Sequence, residues 1–351
     1  MPDGRKWVVE RDASVTDPCA EVVSPVCRWE DIEMVQEVVR AIREAGARTD
    51  SSCGIHVHVG FGEHTPASLR RLVNIVTAKA IAAHFGTTAR YVGRHLGDWH
   101  IPMPDGRKWV VDRDASVTDP CAEVVSPVCR WEDIEMVQEV VRAIREAGAR
   151  TDSSCGIHVH VGFGEHTPAS LRRLVNIVNA KEDLLTMALG ISQHRREEWC
   201  RPVDQRFLEA LNRAKPDTLE SFAAIWYRHN SEAGYYWEML ARHHYDHSRY
   251  HLLNLHATFS TERPAHTIEF RAFNGTLHAG KLKAYIQLCL AMSAQALSTT
   301  AASATRPQTD NPKYTFRCWL LRLGFIGDEF ETARTHLLAN LPGNAAWRQA
   351  S

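Results

Sequence analysis

The chain has 351 residues, 44% of them hydrophobic, enough for a sizeable core in one large domain or two ordinary ones. Its 41 lysines and arginines nearly cancel 42 aspartates and glutamates, leaving a formal charge of -1. That balance excludes a global basic field for nucleic acid or an anionic membrane and points to small-molecule partners.

The N-terminal MPDGRKWVVERD has no apolar leader core, and no apolar run reaches the length of a membrane span, so we expect a cytoplasmic protein. The nine cysteines are scattered singly, which argues against a disulfide framework or a zinc ribbon. Residues 1–79 return as 103–181, with Glu10 becoming Asp112 and Thr77 becoming Asn179. Solenoid repeats diverge far more than this, so a recent tandem duplication or a gene-assembly error is the better reading. The copies part at Ala80 and Glu182, and only the second runs on into a long unique region. Copy two is therefore taken as the native context and copy one as an extra lobe.

In copy two, RKWVVDRD and CAEVVSP read as short strands, and WEDIEMVQEVVRAIREAGA as a helix with Ile134, Val137, Val141 and Ile144 on one face before Gly148 stops it. CGIHVHV alternates strictly, setting Ile157, Val159 and Val161 against His158 and His160. Thr167 is a predicted N-cap, with Pro168 opening the next helix. From Ile191 to Arg249 the chain is rich in aromatic and charged residues, with helices broken at Pro202, Pro216 and Gly234, as suits a pocket. RYHLLNLHATF and HTIEFRAF follow as predicted strands. A helix from Lys281 to Leu297 comes next, facing inward through Leu282, Tyr285, Ile286, Cys289 and Met292. Residues 298–312, STTAASATRPQTDNP, read as a flexible loop, and the tail from Lys313 as helical, burying Trp319, Leu320, Leu323, Phe325 and Phe330.

Three of these strands carry charge opposite an apolar face. HTIEFRAF places Glu269 and Arg271 together, a carboxylate for a hard cation and a guanidinium for phosphate oxygens, or else an ordinary ion pair on a wet sheet. CAEVVSP projects Glu123 among valines. His158 and His160 stand roughly 7 Å apart along a strand, a spacing that serves a metal, a phosphate or a solvated face equally. Together they describe a charged cleft backed by helices, suited to magnesium or manganese and nucleotide phosphates rather than structural zinc. The run ARHHYDHSRYH offers His243, His244, His247 and His251 as a rival transition-metal set if it is helical.

DRDASV, AEVVSP, SCGIHVHVG, RYHLLNL and TIEFRAFNGTLHAGKLKAYIQLCLAMSAQAL, in that order, resemble the amidoligase family, relatives of glutamine synthetase and glutamate-cysteine ligase, over roughly residues 80–345. The resemblance implies an α+β catalytic domain with a mainly antiparallel curved sheet and helices on its outer face, similar to that of glutamine synthetase. It implies ATP with Mg2+ or Mn2+, and small-molecule or peptide carboxylate and amine substrates joined through an acyl phosphate. By similarity Glu123 would hold one metal, and His158 and Glu269 would share a second. Arg271 would steady the transferring phosphoryl group. His160, Arg249 and Asn254 would line nucleotide or carboxylate subsites, with Asp114 near the incoming amine. Family members begin with an acidic ExE strand leading into a helix ending like Ile81 to Gly86; here copy one stands in its place. A site short of two carboxylates sets a catalytically inactive binding protein beside the ligase, with Glu21 of copy one as a conceivable substitute ligand. A zinc hydrolase using His158 and His160, with Glu269 activating water, is the remaining alternative.

Overall fold

The computed structural model describes residues 4–11, 19–27, 31–49, 66–93, 98–113, 117, 120–232, 234–243, 246–260 and 266–346, and the chain divides into two compact units, 1–63 and 64–351. Unit 1 contains an antiparallel hairpin, β1 (Val8–Glu10) and β2 (Glu21–Val23), and a helix, α1 (Ile32–Glu44). Arg5 forks onto the Asp31 carboxylate at 2.6 and 2.8 Å and donates to the Val26 carbonyl at 2.8 Å, tying hairpin to helix. Glu21 stands opposite Glu10 in this hairpin.

Unit 2 opens with α2 (Pro66–His84), which runs through the end of copy one into the unique sequence. A four-stranded antiparallel sheet follows, in the order β3 (Arg90–Tyr91), β4 (Trp99–Pro102), β5 (Lys108–Asp112), β6 (Glu123–Val125), and then α3 (Ile134–Glu146). Copy two repeats the local geometry of copy one: Arg107 holds Asp133 at 2.7 Å through both nitrogens and reaches the Val128 carbonyl at 3.1 Å. The surroundings differ. Val137, Val140 and Ile144 of α3 are buried against Ala78, Ile81, Ile101, Trp109 and Val111, whereas no residue of the identical α1 is buried. The inward stripe uses Val140 in place of the expected Val141, because the face turned to α2 is centred one residue earlier.

The larger core forms around a three-stranded sheet ordered β7 (Gly156–Gly162), β9 (Thr267–Asn274), β8 (Leu253–Asn254), again antiparallel. The helices α4 (Pro168–Leu189) and α10 (Ala279–Ser298) are the longest packed with it, burying Leu171, Leu174, Leu185, Leu288 and Met292. Thr167 caps α4 by accepting the Ser170 N–H, with Pro168 in the first turn, and Gly190 ends the helix at φ +62°, a left-handed conformation that disfavours a side chain. The breaks at Pro202 and Pro216 separate α5 (Gln193–Glu198), α6 (Gln205–Ala214) and α7 (Leu219–Asn230). Short α8 (Trp237–Leu240) and α9 (His256–Phe259) follow, and α11 (Pro312–Arg322) and α12 (Glu331–Leu338) complete the tail.

Mixed α+β architecture and antiparallel pairing agree with the sequence reading, but the strands form several small sheets in place of one curved sheet. β6 is only three residues long and is followed two residues later by Pro127, which cannot donate to a ladder. RYHLLNLHATF is also corrected, since only Leu253–Asn254 pairs as strand. The Asn254 side-chain oxygen accepts the His256 N–H at 2.8 Å, and that local turn starts α9 instead. Of residues 298–312, expected as a flexible loop, Ser298 ends α10 and Pro312 opens α11, and 299–311 lack regular structure but are held to α4. The Asn176 and Asn179 amides donate to the Ala302 and Ala304 carbonyls at 3.0 and 2.8 Å.

The two copies allow one substitution to be read in two settings. Ile144→Ala should destabilise unit 2 by about 2–5 kcal/mol in urea denaturation, the range for a truncated buried isoleucine. The same change at Ile42, in the uncovered helix, should cost less than about 1 kcal/mol. Equal effects would mean that α1 is covered as α3 is.

Candidate functional site

β9 is the central strand of its sheet, and its residues from Ile268 to Phe273 are buried on both faces. Alternation therefore puts Glu269 and Arg271 out of water, at 3% and 4% exposure. A carboxylate so placed must be paired. Arg271 donates through Nη1 to Oε1 of Glu269 at 2.7 Å, and Asn254 on β8 donates to Oε2 at 2.6 Å. From β7, His158 Nδ1 and His160 Nε2 approach the same Oε1 at 3.3 and 3.7 Å. The β7–β9 register shifts between Ile157 and Val159, so Arg271 and Ala272 together face His158, which brings Arg271 Nη1 within 3.5 Å of its Nδ1.

These contacts fix the charges. Burial alone would raise the Glu269 carboxyl, but the charge of Arg271, with His160, His158 and Arg249 behind it, brings it down to about 2. His158 is pushed down to about 4, first by burial and then by Arg271, against the pull of Glu269. Near neutral pH the cluster thus holds an ionised glutamate, two guanidinium groups and a neutral His158.

A further layer positions it. Arg271 donates through Nε to the Trp199 carbonyl at 3.4 Å, and its guanidinium lies 5.7 Å from the centre of the Tyr250 ring, with Arg249 at 5.8 Å from the same ring. The Asn254 amide is oriented by His256, whose imidazole is clamped between the Tyr227 hydroxyl at 2.7 Å and the His243 carbonyl at 2.8 Å. Burial raises the Tyr227 hydroxyl, which stays neutral. Trp199, Tyr227, Tyr250 and His256 were not singled out from the sequence; the available signal was a polar residue inside an apolar run, as in LLNLHATF and AAIWYRHN.

The structure brings together His158, His160, Asn254, Glu269 and Arg271, with Arg249 close enough to act on Glu269. It does not place Glu123 with them. Glu123 lies on β6 in the other sheet, opposite Asp112, which has the Asp98 carboxyl as a neighbour. Burial, opposed by the Arg113 backbone N–H and reinforced by Asp98, raises the Asp112 carboxyl. Asp114 lies outside the described residues, as do His56 and His58 of copy one and His244. The rival histidine run is not one helix: α8 ends at Leu240, His247 opens a separate turn, and His251 Nδ1 bonds the Pro202 carbonyl at 3.0 Å.

Among the described residues, no group of three or more His, Cys, Asp or Glu side chains is placed to hold a metal ion. Both Glu269 oxygens are hydrogen-bonded, Oε1 by the Arg271 guanidinium and Oε2 by the Asn254 amide. These residues do not fit a resident magnesium or manganese, which takes about six oxygen ligands. They fit an anion, because Arg271 Nη2 makes no hydrogen bond to the described residues and Arg249 adds a second charge to the cluster.

Fold and site define a mixed α+β protein with a buried, ion-paired cluster that retains cationic capacity for an oxyanion. Residues 2–80 and 76–293 match the family model described as "Putative amidoligase enzyme", and the chain belongs to that family. The first match covers copy one, and the second runs from α2 through copy two to α10. No curated protein and no solved structure matches the chain. Among the described residues, no helix is long and apolar enough to cross a membrane.

The pH dependence follows from the depressed values. Neutral His158 favours the folded state fully above about 6.5, and that contribution is lost as pH falls toward about 4; His251, depressed by burial and by Arg201, behaves alike. The Glu269 contribution is complete above about 4.5 and is lost toward about 2. Stability in urea should therefore begin to fall below pH 6.5, before the carboxylates titrate. Imidazole NMR should show His158 and His251 neutral at pH 6. A stability plateau from pH 7 down to pH 5 would contradict this assignment.

Proposed function

We propose that this amidoligase-family chain is an ATP-dependent carboxylate–amine ligase. The reading is carried by Arg271, a buried guanidinium held by the Glu269 carboxylate and the Trp199 carbonyl with Nη2 still available. A substrate carboxylate oxygen attacks the γ-phosphorus of ATP, and ADP leaves. An amine then attacks the acyl carbon, and inorganic phosphate leaves. Charge on the transferring phosphoryl oxygens is the main demand of the first step. Arg271 answers it with a donor that needs no reorganisation, since Glu269, the Trp199 carbonyl and Tyr250 already fix its position. Arg249, on the same tyrosine, supplies a second charge for the nucleotide, and His160 and Asn254 border the same space. A divalent ion would enter with the nucleotide as part of the substrate. Carboxylate and amine are small molecules or peptides.

ADP release in the presence of Mg-ATP, screened over pairs of amino acids and short peptides, tests the proposal. Release should require both a carboxylate and an amine. Arg271→Lys, which preserves the charge beside Glu269 but loses the planar fork, should lower kcat/KM about 100-fold. A parallel chain should carry an acidic ExE strand in place of residues 1–63, because α2 belongs to unit 2 and Ala78 lies in its core. Activity in the repaired chain alone would assign inactivation to the duplication. Nucleotide binding without turnover in either chain would make this a binding protein, and zinc-dependent hydrolysis without ATP would replace the ligase reading altogether.

A further inference from the structure

A second polar site lies outside the Glu269 cluster: a cleft of about 590 Å³ bordered by the 202–205 segment, α4, α6 and the 304–306 segment. Its size is typical of small-ligand sites, which span about 300–1,000 Å³. Its wall is built on Glu182, almost wholly buried, which accepts the Val203 N–H at 2.9 Å and pairs with Arg306. Arg306 also holds Asp183 at 2.8 Å, so its charge is committed to two carboxylates. Asn179 donates to the Ala304 carbonyl and accepts from Gln205 at 3.1 Å. Arg196 is different: among the described residues its guanidinium has no hydrogen bond or ion pair, although its charge reaches Glu182.

We propose that this cleft is the subsite for the carboxylate substrate, with Arg196 as its anchor; the assignment rests on the ligase reading. One uncommitted guanidinium, the remaining Asn179 N–H and apolar surface from Pro202, Val203 and Leu208 suit a carboxylate on a short aliphatic body. A polyphosphate needs several cations and is better matched by Arg249 and Arg271. One short segment of chain, Trp199 to Val203, contributes to both sites. The Trp199 carbonyl takes the Arg271 Nε bond, while Pro202 and Val203, three and four residues on, line the cleft. Copy one supplies an internal comparison, since Thr77 and Ala80 stand where copy two has Asn179 and Glu182. The residues that secure the cleft fall where the copies diverge.

Ligand-observed NMR without nucleotide tests the subsite apart from turnover, using L-glutamate, glutarate and glutaramide as probes on the full chain. L-glutamate and glutarate should bind in the millimolar range and glutaramide should not. Arg196→Gln should weaken both at least 10-fold while ADP affinity changes less than 2-fold. Asn179→Thr, copy one's residue, should also weaken them, through a loosened 299–311 segment, with ADP binding retained. Equal binding of glutaramide, unchanged glutarate binding in Arg196→Gln, or no binding by either carboxylate would overturn the proposal. So would displacement of glutarate from this cleft by inorganic phosphate alone. A chain that binds glutarate through Arg196 yet never releases ADP would keep the subsite and remove the ligase reading.

Discussion

The constraint on which this site depends is the burial of one carboxylate. Glu269 lies on the central strand of its sheet at 3% exposure, where an unpaired charge would cost several kcal/mol. Each of its oxygens therefore has a donor, from Arg271 on its own strand and from Asn254 on β8. Each donor is fixed in turn: Arg271 by the Trp199 carbonyl and the Tyr250 ring, Asn254 by the His256 N–H, and His256 by Tyr227 and the His243 carbonyl. A carboxylate satisfied at both oxygens by donors that are themselves held specifies one arrangement. It also separates what Glu269 can do from what Arg271 can do. Glu269 is used up as a structural counter-ion, and the capacity left over is cationic.

The duplication separates local from tertiary causes. The Arg5–Asp31 and Arg107–Asp133 forks, the hairpin registers and both helices recur with nearly the same geometry, so these features follow from sequence within about forty residues. Burial does not recur. α3 finds α2 and the β4–β5 surface, while α1 has no buried residue in unit 1. An amphipathic stripe states that a helix needs a partner without supplying one. In copy two the phrase CGIHVHV pairs with β9 and meets Glu269, while its first printing lies outside the described residues.

Helices, caps and the β9 alternation were legible because each depends on local signals: the Thr167–Pro168 start, the breaks at Pro202 and Pro216, and the period of TIEFRAF. The charged faces that bring His158, His160, Glu269 and Arg271 into one cleft were legible from alternation, whereas the place of Asn254 beside them came only with the family resemblance, since LLNL by itself reads as an apolar strand. Two things were hidden. The Asn254 side chain ends its strand by capping the next turn, a competition between side chain and ladder that β-propensity does not register. The division into small sheets was hidden too, because strand periodicity reports which residues share a face and says nothing of which strands become neighbours.

The two substitutions between the copies add a last step. Glu10 and Thr77 stand where copy two has Asp112 and Asn179. Asp112 is flanked by Asp98 and Glu123 across the sheet, where each added methylene would press one carboxyl toward the next. Asn179 has an amide that both donates to Ala304 and accepts from Gln205, a double bond that a threonine hydroxyl could not span with the same reach. Both changes therefore lie at polar contacts that copy two makes with parts of the chain outside the repeat: Asp98 precedes it, and Gln205 and Ala304 follow it. Identical sequence carries identical local structure in the described hairpins and helices, and both departures from identity fall where copy two meets polar neighbours from outside the repeat.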